Sequence, residues 1–136
     1  MQKVCEQAGV LFIEDSKGTN VGAVIAGVDG IDRPIHLILG GDGKGQDFTP
    51  LRELVQRKCK SVALIGQDAA KLAEVLRGCA NVARYATLPE AVSACINQAM
   101  AGDAVILSPA CASWDMFSNY KQRAQVFIDS IYAHHK

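Results

Sequence analysis

Two periodicities alternate along this chain. Short β-branched apolar runs are separated by longer segments in which apolar residues return every three or four positions. The runs 10–15 (VLFIED), 35–39 (IHLIL), 62–65 (VALI), 82–85 (VARY) and 104–107 (AVIL) predict strands, and runs this apolar suit strands covered on both faces. Residues 2–7 predict one more strand, paired with the first run through a tight turn at Ala8-Gly9. Five stripes at helical spacing lie between and after these runs. They are Val21, Val24, Ile25 and Val28; Leu51, Leu54, Val55 and Cys59; Leu72, Val75 and Leu76; Ala91, Val92, Cys95, Ile96 and Ala99; and Ala124, Phe127, Ile128, Ile131 and Tyr132. The alternation predicts an α/β fold, a Rossmann-like three-layer sandwich. Its six-stranded sheet is mostly parallel, with one antiparallel strand at the N-terminus and helices on both faces.

Helix starts are written locally. Thr87-Leu88-Pro89-Glu90 fits a capping box, and Thr49-Pro50 fits an N-cap followed by proline at the first helical position. No repeat, low-complexity segment or long linker interrupts the pattern, so one domain spanning residues 1–136 is expected.

Composition narrows the function classes. A chain of 136 residues with 49% hydrophobic and 21% charged residues can bury roughly two-thirds of its unfolded surface, so disorder is not expected. Fourteen basic residues balance fourteen acidic ones, and no basic run suggests nucleic-acid binding. No apolar stretch approaches bilayer length, and residues 1–6 (MQKVCE) lack the apolar core of a signal peptide. The expected setting is the cytoplasm, with no nucleic-acid or membrane partner. The five cysteines form no C-x-x-C pair and read as reduced, mostly packed residues. His36 and the His134-His135 pair have no partner cysteines at zinc spacing, so no metal site is expected.

Candidate chemistry concentrates in three polar segments that each follow a strand and precede a helix: 15–20 (DSKGTN), 40–45 (GGDGKG) and 108–113 (SPACAS). In an open α/β sheet, ligands collect beyond the carboxyl ends of strands, and helix-start amides and hydroxyls suit an anion. A phosphate-binding G-x-x-x-x-G-K-[ST] loop is excluded, because Ile38 stands at the first glycine position and Gly45 at the last. From spacing alone, 40–45 is equally an exposed turn carrying Lys44, or a loop whose glycines let backbone approach a ligand beside one fixed charge. Thr19 or Asn20 fits a cap for the next helix, with Asp15 and Lys17 as solvated charges. Ser113 reads first as the cap of the last helix. Cys111 has no nearby histidine in sequence and reads as a packed residue rather than a nucleophile.

Taken together, DSKGTN, LGGDGK (39–44) and SPACAS, in this order and with this spacing, resemble the C-terminal domain of the Mur ligase family. Within it they resemble the ligases that add D-glutamate. Asn119-Tyr120-x-x-Arg123 is similar to the family's N-F-x-x-R. The resemblance covers essentially the whole chain. Trp114 departs from it, standing where leucine is frequent, and Tyr120 stands where phenylalanine is common.

The resemblance implies ATP-dependent addition of D-glutamate to UDP-N-acetylmuramoyl-L-alanine through an acyl phosphate, in peptidoglycan biosynthesis. It implies that Thr19, Lys44, Ser113 and the backbone around Tyr120 contact D-glutamate, while Asp15 and Lys17 face the nucleotide. ATP and Mg2+ would be held mainly by a central domain which, like the UDP-binding domain, is absent from these residues. A monomer without catalytic residues of its own, inactive in isolation, is therefore expected. Two other readings stand beside this one: a folylpolyglutamate-type or other Mur-type ligase domain, which DSKGTN disfavours, and a stand-alone anion- or nucleotide-binding module.

Overall fold

The structure, a computed structural model, describes residues 1–134; His135 of the histidine pair lies outside them. Six strands and five helices follow one another as β1 Gln2–Gln7, β2 Val10–Glu14, α1 Val21–Asp29, β3 Ile35–Gly40, α2 Leu51–Lys58, β4 Cys59–Ile65, α3 Ala69–Val75, β5 Asn81–Arg84, α4 Leu88–Gln98, β6 Ala104–Leu107 and α5 Tyr120–Ala133. The sheet order is β1-β2-β6-β3-β4-β5. Only the β1–β2 pair is antiparallel. Their connecting turn places both Ala8 (φ 51°) and Gly9 (φ 79°) in the left-handed region, as a two-residue turn matched to strand twist requires.

Each central strand is apolar on both faces because two separate cores use its alternate residues. Ile13, Leu37, Leu64 and Ile106 pack with α1, α2 and α3 on one face. Phe12, Ile38, Ala63 and Leu107 pack with α4 and α5 on the other. The result is the expected three-layer sandwich with helices on both faces.

Local signals fared unevenly. Asn20 caps α1 by accepting from the Ala23 amide at 2.8 Å, which settles the Thr19-or-Asn20 alternative in favour of Asn20. Thr87 accepts from the Glu90 amide at 3.3 Å, and the Glu90 carboxylate takes the Thr87 hydroxyl, so the capping box closes side chain to side chain. The Thr49 cap is not made. Pro50 is itself the N-cap of α2, without a side-chain bond, and the Asp47 carboxylate accepts the Thr49 amide at 2.9 Å. Cys59, expected on the α2 stripe, begins β4 instead. Tyr132 faces solvent, and the third member of the buried stripe on α5 is Arg123, at i, i+4, i+8 with Phe127 and Ile131.

At the amino-terminal end of the sheet, away from the three polar segments, buried His36 bridges Ser61 through Nδ1 (2.7 Å) and Asp103 through Nε2 (2.9 Å). The Met100 amide and Lys60 also donate to the Asp103 carboxylate. Burial alone would raise Asp103; the bonds from Met100, His36 and Lys60 reverse that and hold it at about 2.

Candidate anion-binding crevice

Strand β6 lies between β2 and β3. The exits of β2 and β3 lead to α1 and α2 on one face, whereas the exit of β6 leads to α5 on the other. Such a reversal opens a crevice at the carboxyl ends of the strands. The three polar segments leave these three neighbouring strands, so the topology itself brings them together.

Backbone bonds knit them. Asp15 N donates to Leu107 O at 2.7 Å, Ala110 N to Gly18 O at 2.7 Å, and Gly40 N to Pro109 O at 3.0 Å. Asp42 and Ala112 exchange two bonds as an isolated bridge. Gln46 joins two of the segments and the start of α1: its amide nitrogen donates to Gly43 O and Ala110 O, and its oxygen accepts from Val21 N at 2.9 Å. Asp68, after β4, accepts from Gly43 N at 2.8 Å.

The glycines serve the protein's own packing more than a ligand. A Cβ on Gly40 would sit 1.9 Å from the Ile65 carbonyl oxygen, and one on Gly41 would sit 2.3 Å from that of Ala112. Both residues have positive φ, so side chains are excluded by space and by conformation. Only Gly45 in this loop faces open space. Lys44 itself holds a left-handed backbone at φ 53°, a conformation that costs a non-glycine residue about 1 kcal/mol or more. Its amide is fixed to Asp42 Oδ1 at 2.9 Å. The exposed ammonium therefore projects from a constrained stem.

Beneath the crevice lies Arg123, fully buried. Its guanidinium donates to Cys111 O at 2.9 Å and to Ser16 O at 2.8 Å, clamping the β6 and β2 exits together. Burial lowers it to about 10, so it stays charged at neutral pH. Burial also pushes the Cys111 thiol up to about 12, with Asp68 adding to the effect. Cys111 is then a packed thiol with no thiolate character, as its sequence context indicated.

The six residues singled out from sequence fall around this crevice in two groups. Lys44 and Ser113 lie on loops tied by the Asp42–Ala112 bridge, and Thr19 is exposed beside the Asn20 cap. Asp15, Lys17 and Tyr120 line a separate groove of about 380 Å³ between the β2 exit and α5. There the Lys17 ammonium sits 6.0 Å from the Tyr120 ring centre, and Ser108 Oγ donates to Asp15 Oδ2 at 3.2 Å. No hydrogen bond among the described residues joins the Thr19, Lys44 and Ser113 side chains directly.

Two expectations need correction. Ser113 does not cap the last helix: Asn119 does, accepting from the Gln122 amide at 2.9 Å, while the Ser113 carbonyl closes a turn with Met116 and Phe117. Segments 40–45 and 108–113 do not run straight into helices either; α2 begins at Leu51 and α5 at Tyr120. Only 15–20 presents a helix start. Gln46, Asp68 and the burial of Arg123 were not singled out from sequence. For Arg123 the signal was available in its spacing with Phe127 and Ile131.

A wider groove of about 800 Å³ beyond β4 and β5 is lined by Gly66, Gln67, Arg84, Tyr85, Asp115 and Met116 and contains none of the six. Among the described residues no cluster of three His, Cys, Asp or Glu could hold a metal ion, and no helix is long and apolar enough to cross a membrane. Chemically, the crevice offers one ammonium, hydroxyls and backbone amides, a set that orients an anion and supplies no nucleophile.

The chain is 58% identical over 121 residues to the UDP-N-acetylmuramoylalanine–D-glutamate ligase of Aromatoleum aromaticum, covering 88% of this chain and 26% of that protein. It is 49% identical over 132 residues to the ligase of the same name from Dechloromonas aromatica, covering 96% and 29%. With that from Chromobacterium violaceum it shares 52% over 135 residues, covering 98% and 30%. The chain thus spans 26–30% of the length of these relatives. A crystallised domain from Haemophilus ducreyi, described as part of a UDP-N-acetylmuramate:L-alanyl-gamma-D-glutamyl-meso-diaminopimelate ligase, has the same fold at 13% identity. Its TM-score is 0.57, over 96% of this chain and 98% of that one. The family model of the Mur ligase glutamate ligase domain matches residues 1–111, and on that match and these identities the chain belongs to the Mur ligase family.

Proposed function

We propose that this chain is the amino-acid-binding, C-terminal domain of an ATP-dependent ligase that adds D-glutamate to UDP-N-acetylmuramoyl-L-alanine, working beside separate UDP-binding and ATP-binding domains. The single observation that carries the reading is the Lys44 ammonium, exposed on a strained and hydrogen-bonded stem at the sheet's switch point. The names of the relatives described above support the choice of substrate.

A dicarboxylate amino acid needs cationic and hydroxyl partners on two sides, and orientation is the main service a binding domain gives to an amide-forming step. In this reading Lys44, Thr19 and Ser113 take the carboxylates of D-glutamate, and Tyr120, whose side chain lines the neighbouring groove with Asp15 and Lys17, would contribute through its backbone alone. Arg123, Gln46 and Asp68 hold the loops in register without touching substrate.

The fit to a nucleotide is partial. Asp15 and Lys17 offer one carboxylate and one ammonium on their groove, and no glycine loop cradles phosphates, so these residues would face ATP rather than hold it. ATP supplies the phosphoryl group that activates the acceptor carboxylate, and Mg2+ offsets phosphate charge.

The test is phosphate release by a protein carrying this chain within its complete reading frame, given ATP, magnesium and UDP-N-acetylmuramoyl-L-alanine. Turnover is expected with D-glutamate, and none from residues 1–136 alone. Turnover that ignores D-glutamate, or that the isolated chain sustains, would overturn the reading.

A further inference from the structure

Trp114 is the sole tryptophan of the chain and is 60% exposed, an unusual waste of apolar surface for a side chain that ordinarily buries most of its area. It is nonetheless held in place. Its indole N–H donates to Asp42 Oδ2 at 3.0 Å, and the Lys44 ammonium lies 4.0 Å from its ring centre. The other oxygen of Asp42 accepts the Lys44 amide, so Asp42, Lys44 and Trp114 form a closed ring of three contacts. Asp42 is anchored in turn by its two backbone bonds with Ala112.

The arrangement decides what the ammonium is free to do. Asp42, two residues before Lys44, is an obvious competitor for its charge. Yet both Asp42 oxygens are occupied by N–H donors, and among the described residues Lys44 makes no salt bridge within 4.0 Å. A ring face attracts a cation without consuming its N–H donors. We propose that Trp114 is a positioning residue that holds the Lys44 ammonium over its indole, away from Asp42 and open to an incoming carboxylate. The proposal rests on the D-glutamate reading above for the identity of that carboxylate.

The first arm of the test uses the 136-residue chain. Ring current should move the Lys44 ε-methylene protons upfield of their random-coil position, and Trp114→Leu should return them, whereas Trp114→Phe should keep most of the displacement. The second arm measures ligase kinetics in the complete reading frame. Trp114→Leu should raise KM for D-glutamate about two- to fivefold, the range that an exposed cation–π contact converts to, with kcat and KM for ATP unmoved. Adding Asp42→Asn, which removes the competing charge, should recover part of that loss. Random-coil Lys44 protons in the unmodified chain would overturn the proposal. So would Trp114→Leu leaving KM unchanged while Lys44→Ala raises it, a pattern that spares the D-glutamate reading. If neither variant moved KM, that reading would fall and the proposal with it.

Discussion

Replacing Arg123 by Met isolates the contribution of the buried clamp. Methionine keeps a long apolar stem at this buried position of α5 and removes the guanidinium. The Cys111 and Ser16 carbonyls, 2.9 and 2.8 Å from the guanidinium, would then lose their charged donor inside the protein. Each buried acceptor left unpaired costs about 1–3 kcal/mol, so the gross loss is roughly 2–6 kcal/mol. Part is returned because a buried charge no longer has to be desolvated, the same effect that lowers Arg123 to about 10. A net destabilisation of about 2–4 kcal/mol is expected, and Arg123→Lys should recover only part of it, since a single ammonium lacks the fork that reaches both carbonyls. Urea unfolding monitored by circular dichroism measures the difference, with a melting temperature lowered by roughly 6–15 °C at this chain length. An Arg123→Met chain within about 0.5 kcal/mol of the unmodified one, less than a single lost bond, would refute the clamp.

Two further outcomes follow from the same reasoning. Asp103 is held at about 2 in the folded chain, below its unfolded value near 4. Its contribution to stability is therefore complete above pH ~4 and fades as pH falls toward 2; Asp103→Asn should flatten the acid limb of a stability–pH profile, and an unchanged limb would contradict the cluster's role. Gly40→Ala should destabilise by about 3 kcal/mol or more, because it meets the Ile65 carbonyl and adopts a backbone that side chains avoid; thermal melts check this, and a neutral result would mean the β3 exit can relax.

What was legible in the sequence depended on how local the deciding physics is. Apolar runs such as AVIL and IHLIL announce doubly covered strands by themselves, and all six strands stand where those runs placed them, with ends shifted by up to three residues. The start of β4 was missed because Cys59 also fits the helical stripe of α2 and Lys60-Ser61 has no apolar signature; Ser61 belongs to the strand through pairing with His36 and Asn81, residues distant in sequence. The segments 15–20, 40–45 and 108–113 were recognisable by composition, but their meeting depends on β6 inserting between β2 and β3, which no local pattern encodes. For the same reason Ser113 was read as a helix cap: the loop after β6 runs further before α5 than its hydroxyls suggested. The glycines were visible, yet whether each one faces a ligand or a neighbouring carbonyl is a matter of three-dimensional packing.

The most direct test of the central claim is Lys44→Ala in the complete reading frame, with D-glutamate, ATP and UDP-N-acetylmuramoyl-L-alanine titrated separately. A hydrogen bond to a charged group contributes about 1.5–3 kcal/mol. Its loss should therefore raise KM for D-glutamate roughly ten- to two-hundredfold, leaving the other two substrates little changed. Alanine tolerates the left-handed backbone about as poorly as lysine does, so the stem itself is not relaxed by the change. A KM and kcat for D-glutamate within about twofold of the unmodified protein, well under 1 kcal/mol, would make Lys44 a solvated loop charge and contradict the account.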